Sequence, residues 1–183
     1  MIAYKGFGIG LICRGYQFQM GMNVTDKANC AANGFHCAED PLDCLTYYPR
    51  MENSMYCIVD AGGDMDEDDH DSKISCTELR IIKKLTLQEF FLHGLAYMVD
   101  HPKRKSGSHV SKEKAQARNG YAVVRGLDPV ACGEIGDYLA FAKENPITGN
   151  IDQIALVTVD GEQIKPKQWY DINLCERTVC TLV

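Results

Sequence analysis

The chain has 183 residues, of which 45% are hydrophobic and 24% are charged, and its formal net charge is −6. A chain of this length and composition can bury a hydrophobic core as one domain or as two small ones, and its apolar runs are shorter than the ~18 residues of a membrane span. Its N-terminus lacks the charged and then apolar pattern of a secretory signal peptide, so we expect a cytoplasmic protein with no membrane partner.

Residues 1–100 predict an α+β unit that is mainly antiparallel β. Short β-type runs lie at Ile2–Phe7 and Leu11–Phe18, and two more lie at Met55–Val59 and Lys73–Ile82. An acidic stretch joins the last two runs. We therefore expect that stretch to be the exposed connection of a hairpin.

Two helices, at about 41–48 and 87–100, are predicted from their capping signals. Asp40-Pro41 supplies an N-cap and a first-turn proline for the first helix. The Thr86–Glu89 segment has the pattern of a capping box, and apolar residues follow it at helical spacing. The second helix is expected to cover one face of the N-terminal sheet.

The charges are distributed unevenly along the chain. Residues 1–100 hold 8 basic and 15 acidic groups, residues 101–120 hold 6 and 1, and residues 121–183 hold 5 and 9. The middle stretch contains Lys103-Arg104-Lys105 in a composition typical of an exposed loop. We therefore predict an N-terminal domain at 1–100, a basic connector at 101–120, and a mainly β region at 121–183, either separate from the first domain or packed with it.

The last third of the chain predicts mainly β structure. Between Ala117 and Tyr138, small or apolar residues recur every five positions, which indicates a short β-solenoid-like segment. Ile151–Val159 alternates like a strand, and Asp160-Gly161 is typical of a hairpin turn that leads towards Trp169-Tyr170.

We name residues 60–71 the acidic segment, because they hold seven carboxylates: Asp60, Asp64, Asp66, Glu67, Asp68, Asp69 and Asp71. So many like charges cannot form a dry core, so the segment is solvated, holds a cation, or faces a basic surface. A calcium loop is excluded, because a loop starting at Asp64 would have Asp69 where glycine is required and Ser75 where a glutamate is required. We therefore predict no metal; from the residues alone, a partner-binding surface formed by these seven side chains and a solubilising loop both stay open.

Other site classes find little support in the sequence. Cys30, Cys37 and Cys44 recur every seven residues, but zinc sites usually pair ligands two to four residues apart, and no C-x-x-C occurs in the chain. The nine cysteines therefore predict mainly buried, reduced thiols. No phosphate loop, dinucleotide fingerprint or nucleophile elbow occurs, so we expect neither a cofactor nor an enzyme.

Several segments resemble an uncharacterised domain family of phage and prophage proteins. They are YKGF at 4–7, CRGYQF at 13–18, GFHC at 34–37, PLDCLTYYP at 41–49, and, at the C-terminal end, VDGEQIKP at 159–166 with Trp169-Tyr170. This resemblance implies a viral or mobile-element origin and assigns no activity.

The chain is also similar to phage and metagenomic anti-CRISPR proteins that act on the type II effector nuclease. That resemblance implies a non-enzymatic inhibitor of a host defence nuclease. The partner would be a CRISPR effector nuclease with its guide RNA, and the acidic segment would contact a basic channel of that nuclease. One alternative is an ADP-ribosyltransferase-like enzyme or another phage effector enzyme. Arg14-Gly15 at the end of an early strand suggests it, but the Ser-Thr-Ser segment and the Glu-x-Glu pair of such enzymes do not follow in the sequence. A second is a structural or interaction protein of a phage. Direct DNA binding through Lys103, Arg104 and Lys105 is a further alternative.

Overall fold

The structure, a computed structural model, describes residues 1–27, 33–67 and 72–179. It contains two compact units, Met1–Phe90 and Phe91–Val183. The described residues are mostly strand, with helical segments in the first hundred residues, so the predicted α+β class is confirmed. No helix in the described part of the chain is long and apolar enough to span a membrane.

The first unit is built from seven strands: β1 (Ile2–Gly8), β2 (Ile12–Cys13), β3 (Tyr16–Gln17), β4 (Gly21–Val24), β5 (Phe35–Ala38), β6 (Ser54–Glu67) and β7 (Lys73–Leu85). All their pairings are antiparallel. Both β6 and β5 pair with β1 and with β7, so these four strands close into a ring. The ring encloses a core that includes Phe7, Val59 and Leu79.

The predicted strands of this unit are present, with one division. The run at Leu11–Phe18 forms the two short strands β2 and β3, because Arg14 and Gly15 between them both have positive φ, 48° and 80°, and turn the chain back. The strand predicted at Met55–Val59 continues to Glu67, so the first part of the acidic segment is strand rather than loop.

The first predicted helix is shorter than expected and is a 3-10 helix, Pro41–Thr46; a second 3-10 turn follows at Met51–Asn53. Asp40 is its N-cap as predicted, and the Asp40 carboxylate accepts a hydrogen bond from the Leu42 amide at 2.9 Å. The helix ends before Pro49, since proline disfavours a helical conformation in the residue before it.

The second predicted helix is confirmed as α1 (Leu87–Asp100). The Thr86 hydroxyl accepts a hydrogen bond from the Glu89 amide at 3.2 Å, and the Glu89 carboxylate accepts one from the Thr86 amide at 2.9 Å. These reciprocal bonds satisfy backbone donors at the start of the helix. Phe90, Phe91 and Leu95 are fully buried.

The second unit is built from six strands: β8 (Val110–Gln116), β9 (Tyr121–Cys132), β10 (Tyr138–Glu144), β11 (Ile151–Thr158), β12 (Trp169–Asp171) and β13 (Glu176–Arg177). The strand β9 pairs in parallel with β8 and β10 and antiparallel with β12. Its buried side chains Ala122, Val124 and Ala131 belong to the core of this unit.

Three sequence-based expectations differ from the structure in the second unit. The solenoid-like segment is wrong, because residues 121–132 form the single strand β9. Residues 101–120 are not only a connector, because they contain β8. Asp160-Gly161 does not join two hairpin strands; the Asp160 carboxylate instead accepts hydrogen bonds from the Glu162 and Ile164 amides at 2.8 and 2.9 Å, which closes a local loop.

Candidate acidic binding site

The acidic segment begins within a strand whose two faces differ. Along β6, Cys57, Val59 and Ala61 are buried, whereas Asp60 between them is exposed. This alternation is the period-two pattern of a strand with one face on a core. Asp60 therefore points away from the core of the ring.

A β-bulge interrupts this pattern between Gly62 and Met65. Gly63 has a φ of +71°, and a Cβ atom added to it would lie 2.1 Å from the hydroxyl oxygen of Thr77 on β7. The same hydroxyl accepts a hydrogen bond from the Asp64 amide at 2.9 Å. Glycine at 63 is thus required by both the backbone conformation and the close approach of Thr77.

After the bulge the alternation ends. Asp64, Met65 and Asp66 are exposed in succession, so both faces of β6 are open to solvent there. Pairing with β1 ends at Asp60, and among the described residues no strand pairs with β6 from Gly62 onward on the side away from β7. Residues 62–67 of the acidic segment therefore follow the edge of the sheet beyond its core.

Asp60 has a close cation. Its carboxylate accepts a hydrogen bond from the ammonium of Met1 at 2.8 Å, and that ammonium holds the pKa of the Asp60 carboxyl below its usual value. Arg80 lies opposite Asp60 on β7. Part of the charge of Asp60 is thus already compensated within the domain.

Ser72, the residue immediately before β7, is held by several hydrogen bonds. The Asp43 carboxylate accepts hydrogen bonds from the Ser72 hydroxyl at 2.6 Å and from the Ser72 amide at 3.2 Å. The Ser72 hydroxyl in turn accepts a hydrogen bond from the Asp40 amide at 3.0 Å. Asp40 and Asp43 therefore hold Ser72, the residue that follows the acidic segment, and the bulge at Gly63 holds the part of the segment that lies on β6.

The seven predicted site residues fall into three groups. Asp60, Asp64 and Asp66 lie on β6 at exposed positions, and Glu67 is the last residue of that strand. Asp68, Asp69 and Asp71 lie outside the described residues. Sequence reasoning missed the bulge and the Asp43–Ser72 contact; the adjacent glycines 62 and 63 within a strand pattern were the signal for the bulge.

The cysteines examined as zinc ligands or nucleophiles occupy core positions where the structure describes them. Cys37 and Cys44 are buried, and burial raises the pKa of the Cys44 thiol to about 12. Cys30 lies outside the described residues. Within the described ranges, no three His, Cys, Asp or Glu side chains are grouped so as to hold a metal ion.

Comparison with protein families connects the acidic segment to a recognised domain. A model described as a domain of unknown function, DUF7666, matches residues 1–93. The chain belongs to this family. The match ends close to the boundary of the first compact unit at Phe90, so the acidic segment lies within the DUF7666 domain. Searches of curated proteins and of solved structures give no match.

Proposed function

We propose that the DUF7666 domain binds a cationic surface of a nucleic-acid-handling protein through its acidic segment, without catalysis. The observation that carries this proposal is the exposed run Asp64–Asp66, which lies beyond the core where no described strand pairs with β6 on the side away from β7. Carboxylates in this position can occupy a channel lined by Lys and Arg side chains that otherwise holds phosphates.

The distribution of charge between the two units supports this assignment. The first unit, residues 1–90, contains 8 Lys and Arg against 14 Asp and Glu, whereas residues 91–183 contain 11 of each. The entire net charge of −6 therefore belongs to the first unit. Such a field accelerates association with a basic partner and weakens as salt rises.

The hydrogen bonds at the bulge and at Ser72, just after the acidic segment, also support a binding function. A loop that only adds solubility does not need a defined backbone conformation. Here, however, the Thr77 hydroxyl bonds the bulge at Asp64, and the Asp43 carboxylate bonds Ser72. Holding a binding segment in place reduces the conformational entropy lost when a partner is bound. Charged residues on an edge strand also prevent pairing with other chains, and this protective role is the alternative that the experiment must separate.

The specific form of the proposal is an anti-CRISPR-like inhibitor encoded by a phage. In the cytoplasm of the bacterial host, the domain would evade host defence by obstructing the nucleic-acid channel of a CRISPR effector nuclease with its guide RNA. This form rests on the sequence resemblances described above together with the acidic edge.

The test compares binding of three full-length proteins to a type II effector nuclease loaded with guide RNA, between 50 and 300 mM salt. The neutralised variant replaces Asp64, Asp66, Glu67, Asp68, Asp69 and Asp71 by Asn or Gln. The control variant removes the same number of charges at exposed positions elsewhere: Asp26, Glu39, Glu52, Glu134, Asp152 and Glu162.

We expect the neutralised variant to lose at least about 100-fold in affinity, because each close charge pair contributes about 1 kcal/mol or more and 1.4 kcal/mol is tenfold. The control variant should lose much less, and only the parent and control complexes should weaken steeply with salt. Equal binding by the neutralised variant and the parent would leave the segment with a protective role only. Equal losses in both variants would show that net charge, rather than this edge, determines binding.

A further inference from the structure

The second unit contains a groove of about 270 Å³, and half of the residues that line it are cationic. Its walls come from the chain that follows α1 and from β8, β9 and β10. The cations are Arg104, Lys105, Lys112 and Arg125, and the one carboxylate among the residues that line the groove is Glu144. The basic stretch seen in the sequence is therefore only part of this groove.

Arg125 is held firmly at the base of the groove. Its side chain is 12% exposed, and its Nε donates a hydrogen bond to the Glu144 carboxylate at 2.6 Å. Its Nη2 donates another to the backbone carbonyl of Pro102. Because Arg125 and Glu144 form this ion pair, their charges largely compensate each other, and the positive charge of the groove comes mainly from its other cations.

Two of the other cations have defined partners or neighbours in the fold. Lys112 on β8 pairs in register with Arg125 on the parallel strand β9, so the two side chains leave the same face of the sheet. The Arg104 guanidinium donates a hydrogen bond to the Tyr97 hydroxyl at 3.0 Å and lies 5.7 Å from the centre of the Tyr97 ring. Arg104 and Lys112 are thus oriented before any ligand is bound.

The charges of the groove do not balance. Four cationic side chains face one carboxylate, and Ser106 and Ser111 add hydroxyl donors. A multiply charged anion with several acceptor oxygens matches this arrangement of donors, and guanidinium groups are well suited to phosphate. The volume lies just below the ~300 Å³ at which pockets for whole drug-sized ligands begin, so the groove suits a small group.

We propose that this groove binds a phosphate ester, either the phosphate end of a small molecule or one stretch of a nucleic-acid backbone. The site lies outside the part of the chain matched by DUF7666 and does not depend on the function proposed for the acidic segment.

Isothermal titration of the full-length protein at 50 mM salt tests the proposal with two probes, inorganic pyrophosphate and a ten-nucleotide oligo-dT. The groove variants are Lys105→Gln and Lys112→Gln. The control is Lys103→Gln, which removes the same charge two residues away from Lys105 but does not line the groove.

We expect each groove variant to weaken binding at least about tenfold, as loss of a charge-assisted hydrogen bond does. The affinity of the Lys103→Gln control should stay within about twofold of the parent, because an exposed charge outside the site is screened. Binding of pyrophosphate would identify a small phosphate ligand. Binding of oligo-dT alone, with a steep dependence on salt, would identify a nucleic-acid backbone. No binding of either probe at millimolar concentration, or an equal loss in the Lys103→Gln control, would overturn the proposal.

Discussion

Substituting Gly63 by alanine tests whether the bulge in β6 is required by the fold and directs the acidic segment. The new Cβ would lie 2.1 Å from the Thr77 hydroxyl oxygen, and the residue has a φ of +71°. A left-handed conformation costs a residue with a Cβ about 1–2 kcal/mol. Moving the Thr77 hydroxyl away would break its hydrogen bond from the Asp64 amide, which contributes about 1 kcal/mol.

These costs are partly offset, because Gly→Ala substitution stabilises by about 0.4–1 kcal/mol through the unfolded chain. The expected net loss for Gly63→Ala is about 2 kcal/mol in the free energy of unfolding, measured by urea denaturation. Gly62→Ala is the matched control. The nearest heavy atom to a Cβ at position 62 is 3.8 Å away and its φ is not positive, so this variant should be neutral or slightly stabilised.

The double variant Gly63→Ala with Thr77→Ala separates the two causes of the loss. Without the Thr77 hydroxyl the contact disappears and only the backbone strain remains, so the double variant should be more stable than the sum of the single effects predicts. Equal stability of Gly62→Ala and Gly63→Ala would refute the reasoning. A fully additive double variant would refute the contribution of the close approach.

Two further outcomes follow from the ionisable groups. The Lys83 ammonium at 2.6 Å and the Thr86 amide lower the pKa of the Glu89 carboxyl to about 2. The stabilising contribution of Glu89 is therefore present above about pH 4.5 and is lost as pH falls towards 2. Glu89→Gln should flatten that part of a plot of urea midpoint against pH, and an unchanged slope would contradict the assignment. Burial raises the pKa of the Cys44 thiol to about 12 and that of the Cys57 thiol to about 11. A thiol reagent added to the native protein at pH 8 should therefore modify the exposed Cys175 quickly and Cys44 and Cys57 slowly. Peptide mapping by mass spectrometry measures these rates, and rapid modification of Cys44 would contradict the prediction.

The elements that the sequence predicted best are those fixed by neighbouring residues. The capping box at Thr86–Glu89 and the N-cap at Asp40 each depend on side chains within three residues of the backbone groups they bind. Both were found from the sequence, although the distinction between an α-helix and a 3-10 helix at Pro41–Thr46 was not. That distinction depends on packing as well as on the cap.

The elements that the sequence missed depend on distant partners. The strand β8 is mostly polar and exposed, so its sequence resembles a loop, and it is a strand because it pairs in parallel with β9. Within the segment expected to be solenoid-like, Gly126 has a local cause, because a Cβ there would lie 2.4 Å from the carboxyl carbon of Glu113. The Glu113 carboxylate accepts hydrogen bonds from the Leu127 and Asp128 amides, which satisfies the irregular part of β9.

The candidate sites show the same division. The composition of the acidic segment is evident in the sequence, but its position on an unpaired edge requires knowing where β1 stops pairing with β6. The groove of the second unit could not be predicted, because Arg125 lies beyond the basic stretch and meets Lys112 only through strand register. Lys103 was grouped with Arg104 and Lys105 by sequence, yet only the latter two line the groove.

The helix α1 determines how both proposals should be tested. Phe90 stacks on Tyr56 in the first unit, with ring centres 3.8 Å apart, and the next residue, Phe91, contacts Tyr121 in the second unit at 5.5 Å. A fragment that ended at residue 93, where the DUF7666 match ends, would keep only seven residues of this helix. Isolated helices shorter than about 12–15 residues are marginal in water, so such a fragment is expected to lose the stacking of Phe90 on Tyr56. A failure of that fragment to bind would therefore not count against the acidic segment, whereas charge substitutions in the full-length chain alter the surface and leave α1 intact.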